Sequence, residues 1–208
     1  MAKNYAELAF TSAIKVMQKK MGSRASYARM EKYSYTSGLT ENEIQFIAQR
    51  DSLYMASIGE NNFPYIQHRG GPKGFLKVLN HNQIGFIDFT GNRQYITIGN
   101  LSTNNNVSLI MVDYPARTRL KIFAKAKIVE LDDNPELYTF LDLSEYKFRP
   151  ERMIIMDVEA YDWNCPQHIT PRYSIEEIND VFNYQRNYSQ KLEMEIKELG
   201  HKLKKQGL

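Results

Sequence analysis

Apolar residues recur at helical spacing over residues 4 to 33, through Leu8, Ile14, Met17 and Met21. Alanine is frequent there, and Gly22 can end a first helix. A second helix is predicted from Leu39 to Arg50, because Thr40 and Glu43 form a capping-box pair ahead of Ile44, Phe46 and Ile47. The pattern then shortens to strand-like runs. Ser52 to Ile58 and Phe63 to His68 flank the turn Gly59 to Asn62 and read as a hairpin. Phe75 to Leu79, Ile84 to Phe89 and Gln94 to Ile98 are further strand candidates. Val107 to Tyr114 and Leu120 to Leu131 form another hairpin through YPART, and Met153 to Tyr161 closes the series. Asn134 to Leu143 reads as a helix with Pro135 in its first turn. Many short strands with few helices among them predict a mainly β, α+β domain built on a closed or nearly closed barrel.

From Ser174 to Leu203 the period changes again. Ile178, Phe182, Gln185, Ser189, Leu192, Ile196, Leu199 and Leu203 are spaced 4,3,4,3, a heptad seam with two polar interruptions opened by the capping box Ser174 and Glu177. Such a helix either packs on its own barrel or dimerises. The predicted organisation is a helical extension over 1–38, a barrel domain over 39–173 and an amphipathic helix over 174–208.

Composition narrows the class. Hydrophobic content of 42% and charged content of 25% are globular values. The N-terminal apolar patch is broken by Glu7, Lys15, Lys19 and Lys20, and no segment approaches 18 apolar residues, so no membrane role is expected. The single cysteine, Cys165, excludes an intrachain disulfide and fits a reducing cytosol. Net charge is only +3, and the one dense basic run is the C-terminal KLKKQ, which argues against nucleic acid.

Charge and glycine coincide in one region. Seven of the eleven glycines lie between Gly59 and Gly99. Between Gln67 and Lys121 seven Lys or Arg face two acids, Asp88 and Asp113, a local balance of +5. Glycine lets backbone N–H groups approach an anion, and arginine offers a planar fork of donors, so a phosphate-bearing ligand is expected. Two constellations carry this. In Gln67-His68-Arg69-Gly70-Gly71-Pro72-Lys73-Gly74-Phe75, Arg69 and Lys77 bracket a glycine-rich turn and can present two cations to one phosphate. In Gly91-Asn92-Arg93-Gln94, the amides suit the edge of a heterocycle and Arg93 suits its phosphate. The two are expected on adjacent strands. The glycine-rich turn has neither dinucleotide nor P-loop spacing.

The runs RDSLYMASIGENNFPYIQHRGGPKGFLKV, GFIDFTGNRQYITIGNL and MVDYPARTRLKI, with NCPQHITPRY near the C-terminus, resemble the pyridoxamine 5'-phosphate oxidase-like FMN-binding proteins, most closely their bacterial flavin-nucleotide-binding branch. The resemblance covers roughly residues 4 to 175. It implies an antiparallel split β-barrel, a homodimer, and FMN bound at the subunit interface. It places Arg69 and Lys77 at the FMN phosphate, Asn92, Arg93 and Gln94 at phosphate and ribityl, and Asp88 and Phe89 along the isoalloxazine ring. The segment holding Trp163, Asn164, Cys165 and Gln167 sits where a partner subunit can close over the flavin. The Arg and His that bind pyridoxal phosphate in the true oxidase have no evident match.

Three functions remain open on these residues: an FMN-dependent oxidoreductase using a nicotinamide or small organic substrate, a flavin carrier or sensor without turnover, and the same barrel with deazaflavin or haem. Trp163 is read either as a ring-stacking residue or as interface packing. Cys165 beside His168 reads as a small apolar residue rather than a thiolate, and the scattered histidines and lone cysteine give no metal site.

Overall fold

A computed structural model describes residues 4–33, 37–163 and 166–205. The chain divides into two compact units. The first comprises Met1–Asp113 and Arg117–Gln167, and the second Tyr114–Ala116 and His168–Leu208.

The first unit is organised on seven strands: β1 (Ser52–Ile58), β2 (Pro64–Gly70), β3 (Lys77–Asn80), β4 (Gln83–Phe89), β5 (Asn106–Asp113), β6 (Thr118–Val129) and β7 (Pro150–Trp163). They form one antiparallel sheet in the order β2-β1-β5-β6-β7-β4-β3. Period-2 patterning decides which face is inside. On β1, Leu53, Met55 and Ser57 are buried while Tyr54 and Ile58 face out, and on β5 Val107, Leu109 and Met111 are buried in the same alternation. The main core joins these to Phe75, Leu76, Ile84, Phe86, Leu120, Ile122, Ile154 and Met156. A smaller cluster of Ile87, Leu141, Met153 and Ile155 lies on the other face of β4 and β7.

The end strands β2 and β3 share no ladder, so the barrel is split. A side chain spans the opening: Arg69 on β2 donates to Asp88 on β4 at 2.5 Å. Behind it, Gly71 has room for no side chain, since a Cβ there would lie 2.7 Å from Cβ of Phe75.

Helices α1 (Tyr5–Ala9), α2 (Ser12–Lys20) and α3 (Arg24–Tyr33) fill the predicted helical region, with the expected break at Gly22 (φ +76°) between α2 and α3 and a further break between α1 and α2. Tyr5 stacks on Phe123 of β6 at 4.9 Å, and the Asn4 amide donates to the Met30 and Glu31 carbonyls. Helix α4 (Glu41–Ala48) starts as expected: Glu43 accepts the Thr40 backbone N–H at 2.8 Å and its hydroxyl at 2.5 Å. Helix α6 (Pro135–Leu141) carries Pro135 at its start.

One element departs from the sequence reading. Gln94 to Ile98 is not a strand; helix α5 runs from Ile96 to Thr103. Its Ile and Thr residues favour strands, but Arg93 (φ 60°) and Tyr95 (φ 53°) take left-handed conformations that turn the chain, and Thr97 and Leu101, four apart, bury against the sheet.

In the second unit, α7 (Ile175–Lys205) follows a closed capping box, with the Ser174 N–H donating to Glu177 at 2.7 Å and the Glu177 N–H to the Ser174 hydroxyl at 3.1 Å. Arg172 lies over the Tyr114 ring at 5.0 Å. Among the described residues, no helix is long and apolar enough to cross a membrane, and no group of His, Cys, Asp or Glu could hold a metal ion.

Candidate functional site

Two adjoining clefts open along the split of the barrel. One, of about 330 Å³, is lined by Gln67, Arg69, Asp88, Phe89, Gly91, Asn92, Arg93, Glu151 and the start of α5 from Tyr95 to Ile98. The other, of about 570 Å³, shares Gln67, Arg69, Asp88, Phe89 and Gly91 and adds His68, Gly70, Phe75, Phe86, Ile87 and Thr90.

Gln67–Gly70 and Asp88–Arg93, read as separate constellations, therefore face one another. They do so across the seam, not on adjacent strands. The strand order puts β2 at one end of the sheet and β4 next to the other end, and curvature brings them together.

Asp88 is the electrostatic centre of the wall the clefts share. It is 4% exposed and accepts from Arg69 at 2.5 Å and from Arg152, its cross-strand neighbour on β7, at 3.2 Å. Burial pushes the Asp88 carboxyl up, against the opposing pull of Arg69 and Arg152. Arg152 also donates to Glu151 at 3.1 Å and lies 5.2 Å over the Tyr95 ring, and the Tyr95 hydroxyl donates to Glu151 at 3.1 Å. Arg69 is thus committed to a carboxylate, and its Nε is buried without a hydrogen-bond partner.

The other end of the site is electropositive. No side chain caps α5, whose N-cap is the left-handed Tyr95, and Arg93 sits two residues earlier. The first-turn N–H groups of a helix have no partner within the helix, and the aligned peptide dipoles favour an anion there. Asn92 accepts the Gln94 N–H through its side chain at 3.2 Å, which shapes this turn. Gln67 is oriented from behind: its carbonyl oxygen accepts from the buried Thr97 hydroxyl at 2.8 Å, which leaves the amide NH₂ as a donor. Phe89 packs on Phe148 and Tyr146 at 4.5 and 5.7 Å. His68 meets Tyr54 edge-on at 5.5 Å.

Several expected site residues lie elsewhere. The ammonium of Lys77 is bound by the Phe140 and Asp142 carbonyls at 2.7 and 3.0 Å, so it serves as a C-terminal cation for α6 and lines neither cleft. Trp163 donates to Glu43 at 2.6 Å and meets Phe46 edge-on at 4.8 Å, tying the end of β7 to α4. Gln167 is an exposed turn residue, and Gln94 is exposed beside the clefts without lining them. Asn164 and Cys165 lie outside the described residues, and with them any thiolate role for Cys165. Conversely, Tyr95, Thr97, Glu151 and Arg152 belong to the site or its support and were not singled out by sequence. The β4–β7 register sets Arg152 beside Asp88, and no local pattern reveals that register.

The split antiparallel barrel thus sets an anion-favouring helix start beside a planar amide and an aromatic face. The family model for pyridoxamine 5'-phosphate oxidase matches residues 39–160, and the chain belongs to that family. No curated protein matches it. Among solved structures, it is similar to HupZ from Group A Streptococcus (13% identity, 65% of this chain and 100% of that one, TM-score 0.49). It is also similar to an FMN-binding protein from Syntrophomonas wolfei (9%, 71% and 97%, 0.45) and to HutZ, a heme storage protein from Vibrio cholerae (18%, 58% and 89%, 0.35).

Proposed function

We propose that the chain binds FMN in the paired clefts and works as an FMN-dependent oxidoreductase. The observation that carries this reading is the uncapped first turn of α5, with Arg93 beside it, opening into a cleft that also holds Gln67 and Phe89. Its donor set of backbone N–H groups and one guanidinium fits a phosphomonoester, and Glu151, the carboxylate that lines the same cleft, is engaged by Tyr95 and Arg152. The Gln67 amide and the Phe89 ring suit a planar heterocycle with carbonyl and ring-nitrogen acceptors.

Bound FMN would supply hydride or electron transfer. The chain's own contribution is binding and orientation: Arg93 and α5 hold the anion, Thr97 fixes Gln67, and Asp88 neutralises Arg69 so that the inner wall adds no second anion site. The electron partner in this reading is a nicotinamide or small organic substrate. A second copy of the chain completes the site by covering the open side of the clefts, a role for which the exposed Tyr54, Ile58 and Ile66 on β1 and β2 are suited. Lys77 and Trp163, already engaged within the fold, are left out of the ligand shell. The single cysteine accords with a cytoplasmic setting.

An absorption spectrum of the protein, before and after adding FMN and then NADH or NADPH without oxygen, tests the reading. Flavin bands that bleach support the oxidoreductase. Bands that persist point to a carrier or sensor, and a Soret band would replace FMN with haem. Arg93→Ala is expected to weaken FMN roughly ten- to a hundredfold, about 1.5 to 3 kcal/mol for a charge-assisted hydrogen bond. Unchanged affinity by fluorescence titration would overturn the phosphate assignment.

A further inference from the structure

Gln67 stands at the junction of the two clefts, since it lines both. Among the described residues its side-chain amide has one hydrogen-bond partner, the Thr97 hydroxyl at 2.8 Å. Thr97 is 1% exposed, and its hydroxyl is bonded in turn to Gln67, so bulk water does not reach the contact. Both residues are anchored on regular elements: Gln67 pairs with Met55 in the β1–β2 ladder, and Thr97 lies in the first turn of α5.

This pair fixes the place of the amide but not its polarity. A hydroxyl both donates and accepts. It serves the Gln67 carbonyl oxygen as a donor and, after half a turn of the amide, the NH₂ group as an acceptor. The two ends of the amide are close to equal in size, so the turn needs no extra room. A backbone N–H or C=O in place of the hydroxyl would lock one orientation, because each offers a single polarity. Arg69, on the same face of β2, is committed to Asp88 and does not hold the amide oxygen. A planar redox ring poses the demand that such a pair answers. Hydride taken from a nicotinamide, which leaves oxidised, turns a ring nitrogen that accepted a hydrogen bond into an N–H donor. An NH₂ group locked toward that edge would then oppose donor to donor, and an unmatched buried donor costs more than the bond had contributed.

We propose, on the reading that FMN lies in the clefts, that Thr97 is a positioning residue that lets Gln67 turn its amide over with the oxidation state of the ring. NH₂ faces the oxidised ring and the carbonyl oxygen faces the reduced one. The Thr97 hydroxyl donates in the first state and accepts in the second, so Gln67 stays bonded at both ends throughout.

The test follows the Gln67 side-chain amide by NMR in the full chain, with isotope-labelled glutamine and the signal assigned by its loss in Gln67→Leu. FMN is added oxidised and then reduced with dithionite. The nuclear Overhauser effect between the Gln67 NH₂ protons and the Thr97 methyl is expected to be weak with oxidised FMN and to grow several-fold on reduction. Amide signals that shift with FMN but keep the same Thr97 contact in both states would overturn the turning amide and leave FMN in place. Amide signals that FMN does not move would overturn the placement of FMN beside Gln67. The midpoint potential of bound FMN gives an independent readout. Thr97→Val takes a hydrogen bond from both orientations alike, so the potential is expected to stay at the wild-type value, as it is in Thr97→Ser. A potential that rises in Thr97→Val would overturn the proposal, because the hydroxyl would then have been holding NH₂ against the reduced ring.

Discussion

Asp88→Ala is expected to lower the free energy of unfolding by about 3 kcal/mol. Among the described residues the carboxylate is the one acceptor for Arg69 and one of two for Arg152, whose side chains are only 13% and 15% exposed. Removing it leaves Arg69 uncompensated in the wall of the barrel and Arg152 with Glu151 alone, and an unpaired buried charge costs far more than an exposed ion pair contributes. Asp88→Asn is expected to cost nearly as much, because the amide cannot balance two cations. Arg69→Leu in the Asp88→Asn background should recover part of the loss, since one buried charge is then gone. Urea denaturation of the four proteins reads this directly. If Asp88→Ala unfolds at the wild-type midpoint, Arg69 and Asp88 do not bridge the split.

That bridge shows what sequence can and cannot convey here. Alternation and short apolar runs located β1, β2, β4, β5, β6 and β7: one buried face imposes period 2 on β1 and β5, whereas β4 and the middle of β7 are buried on both faces and read as continuous apolar runs. The capping boxes at Thr40 and Ser174 located two helix starts, because their partners are three residues apart. The two glycine- and arginine-containing turns were legible as candidates for one site. Their meeting was legible only as a guess at adjacent strands, since the contact spans the sheet's two ends. The partners of Lys77 within the fold were hidden for a related reason: the Phe140 and Asp142 carbonyls are more than sixty residues away. Helix α5 was hidden by its own Ile and Thr residues, and with it the helix terminus that gives the site its anion preference.

Glu43 carries the second large effect, and it lies away from the clefts. It is 4% exposed and accepts from the Thr40 N–H, the Thr40 hydroxyl and the Trp163 indole at 2.8, 2.5 and 2.6 Å, so one carboxylate both caps α4 and clamps the end of β7. Glu43→Ala removes the cap, about 1 kcal/mol, and strips the indole N–H of its acceptor, roughly 1 to 3 kcal/mol; together the expected loss is about 3 kcal/mol. The pH dependence follows from the same contacts. Burial raises the Glu43 carboxyl, but the hydrogen bonds of Thr40, Trp163 and Tyr161 outweigh it and hold the group below its ordinary value. A carboxyl depressed in the folded state stabilises fully above its unfolded pKa, about 4.3, and that contribution is lost as pH falls through the lower folded value. Glu43→Gln keeps an acceptor but has no charge to lose. Wild type and Glu43→Gln should therefore differ most in stability near pH 7 and converge as the pH falls below about 4. Thermal unfolding of both proteins from pH 7 to pH 3 measures it. Parallel curves across that range would mean that Glu43 is not held as a carboxylate by Thr40 and Trp163.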